Sequence, residues 1–273
     1  MKISTKDGAG LNRKSAEVIS QYDEDKLWQT VLGDNTPEKL LDTLFYLNGL
    51  HFALRGGEEH CSLNINQFQI SERSGKKCII YKECVSKTFK GGLKNMRHTP
   101  KEVVHFQNDD DPSKCHVRLF EKFLKLRPND TTRFYLMPAT KISNGVWYTK
   151  RPIGKNSLSK FVRRMCTNAG IDGNKRNHSL RATCATRLYE SHQVDEQLIM
   201  ERTGHRSVAG VRCYKQTSDV LISKCSSVLD SSEIQKCISN KSSNSEKSVS
   251  VNFNFASGCN VQILNYNHQP PNL

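Results

Sequence analysis

Residues 36–54 read TPEKLLDTLFYLNGLHFAL, and this run limits the architecture more than any other segment of the chain. Thr36 is a good helix cap. Pro37 falls at the first helical position, where its missing N–H costs nothing, and Glu38 sets an acid against the positive end of the helix dipole. The third helical position is Lys39, so the reciprocal capping box is incomplete. The apolar run behind this start is long enough for a helix buried in a core, with Gly49 as a point where it bends or ends. The segment therefore predicts a helix buried in the core.

The flanking segments predict what covers it. Residues 1–35 are polar and loosely organised, with one short helix ending at Gly33, and read as a remnant or partial N-terminal region. CSLNINQFQI and KKCIIYKECV have strand length and strand pattern, with SERSG and FKGGLK as turns. Together they predict a small antiparallel sheet with basic tips. CHVRLFEKFLKLRP is a helix with a broad apolar face, stopped by Pro128, and TRFYLMP is a short extended segment. Further helices are expected over 156–169, capped by Asn156 or Ser157, over 179–191, and over VDEQLIMERTGH, stopped by Gly204; Ser207 then caps a short one. The fold class is thus α+β, mainly helical. Residues 36–222 form the main domain, 223–248 a Ser/Asn-rich linker, and 249–273 a tail with an alternating, hairpin-like stretch.

Charge narrows the partner. Lys and Arg number 41 against 27 Asp and Glu, a formal net charge of +14. The excess is concentrated. One stretch holds Lys87, Lys90, Lys94, Arg97 and Lys101; another holds Lys155, Lys160, Arg163, Arg164, Lys175 and Arg176. Two dense basic stretches that fold onto one surface suit a polyanion, most simply nucleic acid. The ten cysteines include no Cys-x-x-Cys pair, and no span has zinc-finger spacing. No apolar run approaches a membrane span and no signal peptide opens the chain, so an intracellular location without a membrane partner is expected. An RNA-binding reading lacks the aromatic strand motif of the common RNA modules.

The informative spacing lies between His178 and Tyr214. His178 and Arg181 stand three apart in NHSLRATCATRLYESH and so share a helix face. His205, preceded by Gly204, follows 24 residues after Arg181, and Tyr214 nine residues after His205. Each has a mundane reading alone: a polar helix start, a turn residue, a core tyrosine. Upstream, Arg55 in GLHFALRGGEEH has acids at Glu58 and Glu59, and Lys87 sits in VSKTF.

In this order the pattern closely resembles the C-terminal box of tyrosine recombinases, His-x-x-Arg, Gly-His, Tyr. The upstream motif, usually Gly-Leu-Arg with an acid three residues on, is matched by Arg55 and Glu58, with Ala53 in place of the glycine. LHFALRGGEEH, SKTFKGGLK and ERTGHRS are similar, more narrowly, to crypton-type recombinases and their host-gene relatives, among them the C-terminal domains of zinc finger MYM-type proteins and glutamine-rich protein 1.

The resemblance implies a tyrosine recombinase catalytic core acting on double-stranded DNA in the nucleus, with neither metal nor cofactor. Arg55 and Arg181 then grip the phosphate, with His178 and His205 as further donors. Tyr214 is the nucleophile, His178 its base, and Lys87 the general acid. Lys90, Lys94, Arg97, Lys155, Lys160, Arg163, Arg164, Lys175 and Arg176 line the DNA. Self-association through the C-terminal segment is expected. Glu58 is expected to orient Arg55, and Tyr214, on a short helix, is the member expected to sit apart. The alternative is a domesticated, non-catalytic DNA-binding or transcription-linked module on the same fold.

Overall fold

The helix expected from residue 36 is the centre of the computed structural model, which describes residues 16–84, 100–215 and 219–230. Thr36 Oγ1 accepts from the Lys39 amide, and the helix (α2) runs Pro37–His51. Almost every side chain from Leu40 to Leu50 is buried. Gly49 does not end it. A Cβ there would lie 2.3 Å from Leu180 Cδ1, so the glycine is the notch into which the later helix Asn177–Glu190 packs.

An earlier helix, α1 (Gln21–Thr30), starts in a Ser20/Asp23 capping box and packs on the later helix Phe161–Asn168. Residues 16–35, expected as a partial N-terminal region, contribute Ile19, Leu27, Val31 and Leu32 to the same core.

The small sheet forms as expected: β1 (Phe68–Arg73), β2 (Lys76–Lys82) and β3 (Glu102–Phe106), antiparallel in that order. The segment before it differs. CSLN has the pattern of a strand start, but Glu58–Ser62 is a helical turn (α3). Gln67 Oε1 accepts from the Asn64 amide, and that side-chain closure holds a 3-10 turn that delays the strand to Phe68. The expected FKGGLK turn lies outside the described residues.

Helix α4 (His116–Leu126) packs on α2. The extended segment after it is one arm of a hairpin, β4 (Leu136–Ser143) with β5 (Val146–Pro152). Asn144 and Gly145 turn it with φ of 52° and 74°, the Asn-Gly signature of a tight hairpin. The single helix expected over 156–169 is two: α5 (Lys155–Leu158), led by Gly154 rather than capped by Asn156 or Ser157, and α6 (Phe161–Asn168). Ser159 Oγ donates to the Asn156 carbonyl at the break.

Helices α7 (Asn177–Glu190), α8 (Glu196–Thr203) and α9 (Val208–Arg212) complete this unit. Gly204 ends α8 in the left-handed region at φ 67°, and Ser207 Oγ caps α9. From residue 217 the chain forms a second unit, of which α10 (Asp219–Leu229) is described. The linker and tail expected beyond 230 lie outside the described residues. No helix among the described residues is long and apolar enough to cross a membrane.

Candidate active site

Five of the six residues singled out as catalytic meet at one end of α7. Asn177, the first residue of that helix and only 3% exposed, fixes the geometry. Its Oδ1 accepts from the Val162 amide at the start of α6. Its Nδ2 donates to the Leu158 carbonyl at 2.8 Å and to Gly56 at 3.3 Å. One side chain thus ties α5, α6 and the loop carrying Arg55 to the first turn of α7. His178 and Arg181 leave that turn together.

Arg181 is buried to 2% exposure. Nη1 donates to the Ala53 carbonyl at 2.8 Å, and Nη2 stands 3.4 Å from His205 Nε2. Among the described residues, no carboxylate forms an ion pair with it. Burial, and then the neighbouring Arg55 charge, bring its pKa down to about 10. This is a cation held in a poorly solvated place, its desolvation only partly offset by the charge of Glu59. An anion entering the site removes that penalty.

Arg55 is half-buried and strongly oriented. Its backbone amide donates to Glu59 Oε2 at 2.8 Å, its Nη1 donates to Glu59 Oε1 at 2.6 Å, and its Nη2 to the Gly204 carbonyl at 3.2 Å. Glu83 Oε1 lies 3.9 Å from Nη1. The expected partner, Glu58, is corrected by this geometry. Glu58 opens α3 on the solvent side, where it pairs with Lys155 at 3.8 Å, and the next residue turns inward. Against the burial that would raise it, the Arg55 amide, Lys101 and the guanidinium hold Glu59 below the usual carboxylate range.

The turn before Arg55 carries a cost. Ala53 sits at φ 48°, in the left-handed region that favours glycine, at the position where the recombinase motif carries Gly. We expect Ala53→Gly to stabilise the fold by up to about 1 kcal/mol, the relief of strain exceeding the added freedom of the unfolded chain. A lower urea midpoint for this variant contradicts that reading.

His205 follows the left-handed turn at Gly204. Thr203 Oγ1 donates to the Ile199 carbonyl at 2.6 Å, so at 2.7 Å from His205 Nδ1 it accepts that proton. The Nε2 lone pair then faces Arg181. Burial, then Arg181 and Arg55, lower His205 to about 4.

Tyr214 does not sit apart. Its hydroxyl lies 2.9 Å from His178 Nε2, and its ring 5.4 Å from that of His205. Thr186 Oγ1 on α7 holds its carbonyl, and a two-pronged Arg212–Glu196 pair at 2.9 Å holds α9 on α8. Burial is the largest influence on the Tyr214 hydroxyl and raises its pKa, against the pull of Arg181 and Arg55. Burial, with the same two arginines, lowers that of His178. At neutral pH a protonated tyrosine therefore faces a neutral imidazole, the correct pairing for transfer of its proton.

Lys87, with Lys90, Lys94 and Arg97, lies outside the described residues. A lysine not singled out, Lys101, stands at the base of β3. Its Nζ donates to the Phe52 carbonyl at 2.6 Å, and burial, opposed by Glu59, brings it down to about 8. It lines a cleft of about 510 Å³ with Glu83, Met200, Gly204, His205 and Arg206. Lys101 ends the first basic stretch, but nothing in its spacing separates it from its neighbours.

Of the second basic stretch, Lys155, Lys160, Arg163 and Arg176 are exposed. Two members are engaged elsewhere. Lys175 is turned inward, donating to the Val18 carbonyl and pairing with Asp23 at 3.3 Å. Arg164 pairs with buried Asp42 and stacks on Phe161.

This arrangement of helices and small sheet is the tyrosine recombinase catalytic-core fold. The chain superposes on XerH site-specific recombinase bound to palindromic difH substrate, in a post-cleavage complex, with a TM-score of 0.55 at 19% identity, covering 80% of this chain and 54% of that one. Against XerA recombinase the TM-score is 0.51 at 17% identity, over 79% and 65%.

Within that class, residues 18–167 match the family described as domain of unknown function DUF3504, and the chain belongs to it. Human zinc finger MYM-type protein 2 is 29% identical over 167 residues, which is 54% of this chain and 12% of that protein. The human transcriptional regulator QRICH1 is 24% identical over 161 residues, 54% of this chain and 20% of that protein. The chain therefore spans a small part of the relatives it matches. The family match includes Arg55 and stops before α7.

Proposed function

We propose that this chain binds duplex DNA and breaks and rejoins it through a 3′-phosphotyrosine intermediate. The observation that carries this is the Tyr214 hydroxyl, 2.9 Å from the neutral His178 Nε2, beside the Arg181–His205 pair. In this reading the tyrosine oxygen attacks the phosphorus and its proton passes to His178. The bond to the 5′-oxygen breaks, and that oxygen takes a proton from a lysine, Lys87 being the proposed donor. Arg55 and Arg181 hold the non-bridging oxygens, where the charge develops, and His205, accepting through Nε2, orients the Arg181 guanidinium. A 5′-hydroxyl from the same or another strand reverses the steps, so no metal or nucleotide enters. Exposed Lys155, Lys160, Arg163 and Arg176, with Lys90, Lys94 and Arg97, are proposed to follow the DNA backbone.

The expected domain bounds of 36–222 shift: we propose that the recombinase-like domain takes in α1, whose residues share its core, and ends near 216, that the linker expected over 223–248 starts only after α10, and that 249–273 is the segment for self-association on DNA. A DNA partner and a relative named as a transcriptional regulator support a nuclear location, and the motif likeness supports descent from a crypton-type mobile element. The second reading, a non-catalytic DNA-binding or transcription-linked module, draws on those same relatives.

A duplex nicked so that cleavage releases a short strand separates the two. The recombinase reading expects a denaturant-resistant protein–DNA adduct, absent for Tyr214→Phe, with salt-sensitive DNA binding kept in both. Binding without adduct on any duplex leaves only the module.

A further inference from the structure

Away from the site, three histidines come together where α2, β3 and α4 meet. His51 ends α2, His105 lies in β3 opposite Ile79, and His116 opens α4. His51 stacks on both others, with centroids 3.9 Å from His105 and 5.3 Å from His116, and the His105 and His116 rings are tilted with centroids 5.4 Å apart. One ring nitrogen from each lies within 4.8 Å of the others.

His116 is 1% exposed, and its Nδ1 is buried with no hydrogen-bond partner. Its other nitrogen is accounted for. Nε2 lies 3.0 Å from Asn48 Oδ1, whose amide Nδ2 donates to the Tyr135 hydroxyl at 3.1 Å, which in turn lies 3.0 Å from His60 Nδ1. The Asn48 oxygen only accepts, so the proton of His116 is on Nε2 and its Nδ1 carries a lone pair. A ring nitrogen free to ligate while the other donates to a carbonyl oxygen is the supporting arrangement of metal-bound histidines.

We propose that His51, His105 and His116 bind a divalent transition metal of the zinc class, with water as a fourth ligand, clamping α2, β3 and α4 together. Three nitrogens on a tetrahedral ion at about 2.0–2.1 Å sit about 3.4 Å apart, so ring rotations that close the cluster by roughly 1 Å complete the site. The imidazoles are in the ligating state already. Burial keeps all three neutral at pH 7, with His105 brought down to about 4.

The charged groups bearing on the cluster are Arg202 of α8, whose Nη1 donates to the Val104 carbonyl, and Arg187 of α7. Their positive charge opposes an ion held by charge alone. That selects against calcium and magnesium and for ions with strong nitrogen affinity.

The test is to strip the full chain with chelator and titrate it with cobalt(II), then zinc. The expected result is one ion per chain with Kd below about 10 µM, a visible cobalt band of nitrogen and oxygen ligation, its displacement by zinc, and a higher melting temperature. His116→Ala, and His51→Gln if the alanine variant does not fold, lowers affinity at least about tenfold. A His178→Ala/His205→Ala variant keeps it. No binding at 100 µM cobalt or zinc overturns the proposal. So does an intense near-ultraviolet thiolate band, or binding lost with His178 and His205 but kept without His116.

Discussion

Replacing Arg181 by Met is expected to slow adduct formation by on the order of 10²- to 10³-fold and to leave the fold about as stable as before. The two effects have one cause. Arg181 is almost fully buried, its pKa is lowered, and its hydrogen bonds go to the Ala53 carbonyl and the His205 ring rather than to a carboxylate. Met fills the space of the arginine stem without the charge. Relief of the buried charge is offset by the Ala53 carbonyl and His205 Nε2 left without a donor, so the net effect on stability is expected to stay within about 1 kcal/mol. The same change removes the main buried cation from the proposed phosphate site, and a loss on the order of 10²- to 10³-fold in the cleavage rate is expected. Urea unfolding and single-turnover cleavage report the two halves separately. A loss of several kcal/mol with cleavage intact assigns Arg181 to structure and contradicts its role.

Acid is expected to unfold the chain over an unusually high pH range. His60 is brought down to about 3 and His105 to about 4, by burial in both cases, and burial also holds His51 and His116 well below 6.5. The unfolded chain takes up these protons near pH 6.5 while the fold refuses them. Between 6.5 and 4 the unfolded state therefore binds more protons, and stability falls as pH falls. His60 and His105 alone withdraw on the order of 5 kcal/mol by pH 4, comparable with the whole stability of a small domain. Urea midpoints at pH 7 and pH 5, measured in chelator so that no bound ion contributes, should differ strongly. A flat profile down to pH 4.5 contradicts the burial of neutral imidazoles.

The parts legible in the sequence are those fixed locally. Thr36, Pro37 and Glu38 announce α2, Gly204 and Ser207 mark the end of α8 and the start of α9, and alternation marks β1 and β2. The shared face of His178 and Arg181 follows from helical spacing alone. The β4–β5 hairpin was equally legible, because Asn144-Gly145 is a strong turn signal, but the segment reads as a single strand when only its apolar residues are counted.

Other features are made by contacts distant in sequence. Asn177 looks like an ordinary helix start, and its role depends on Val162, Leu158 and Gly56. Lys101 differs from its basic neighbours only by its burial. Glu58 and Glu59 are equivalent on paper, and the phase of α3 decides which one reaches Arg55. Two acids beside an arginine cannot be ranked before that phase is known. The histidine cluster gathers residues from α2, β3 and α4 with no short spacing to betray it.

The central claim is that Tyr214 is the group that attacks DNA, with His178 beside it and the arginines around the phosphate. The most direct measurement is to trap the adduct on a nicked duplex, digest the protein, and locate the attached nucleotide by mass spectrometry. We expect one modified peptide, with the 3′-phosphoryl nucleotide on Tyr214. A nucleotide found on Tyr189, on a serine or on any other residue contradicts the assignment of this site.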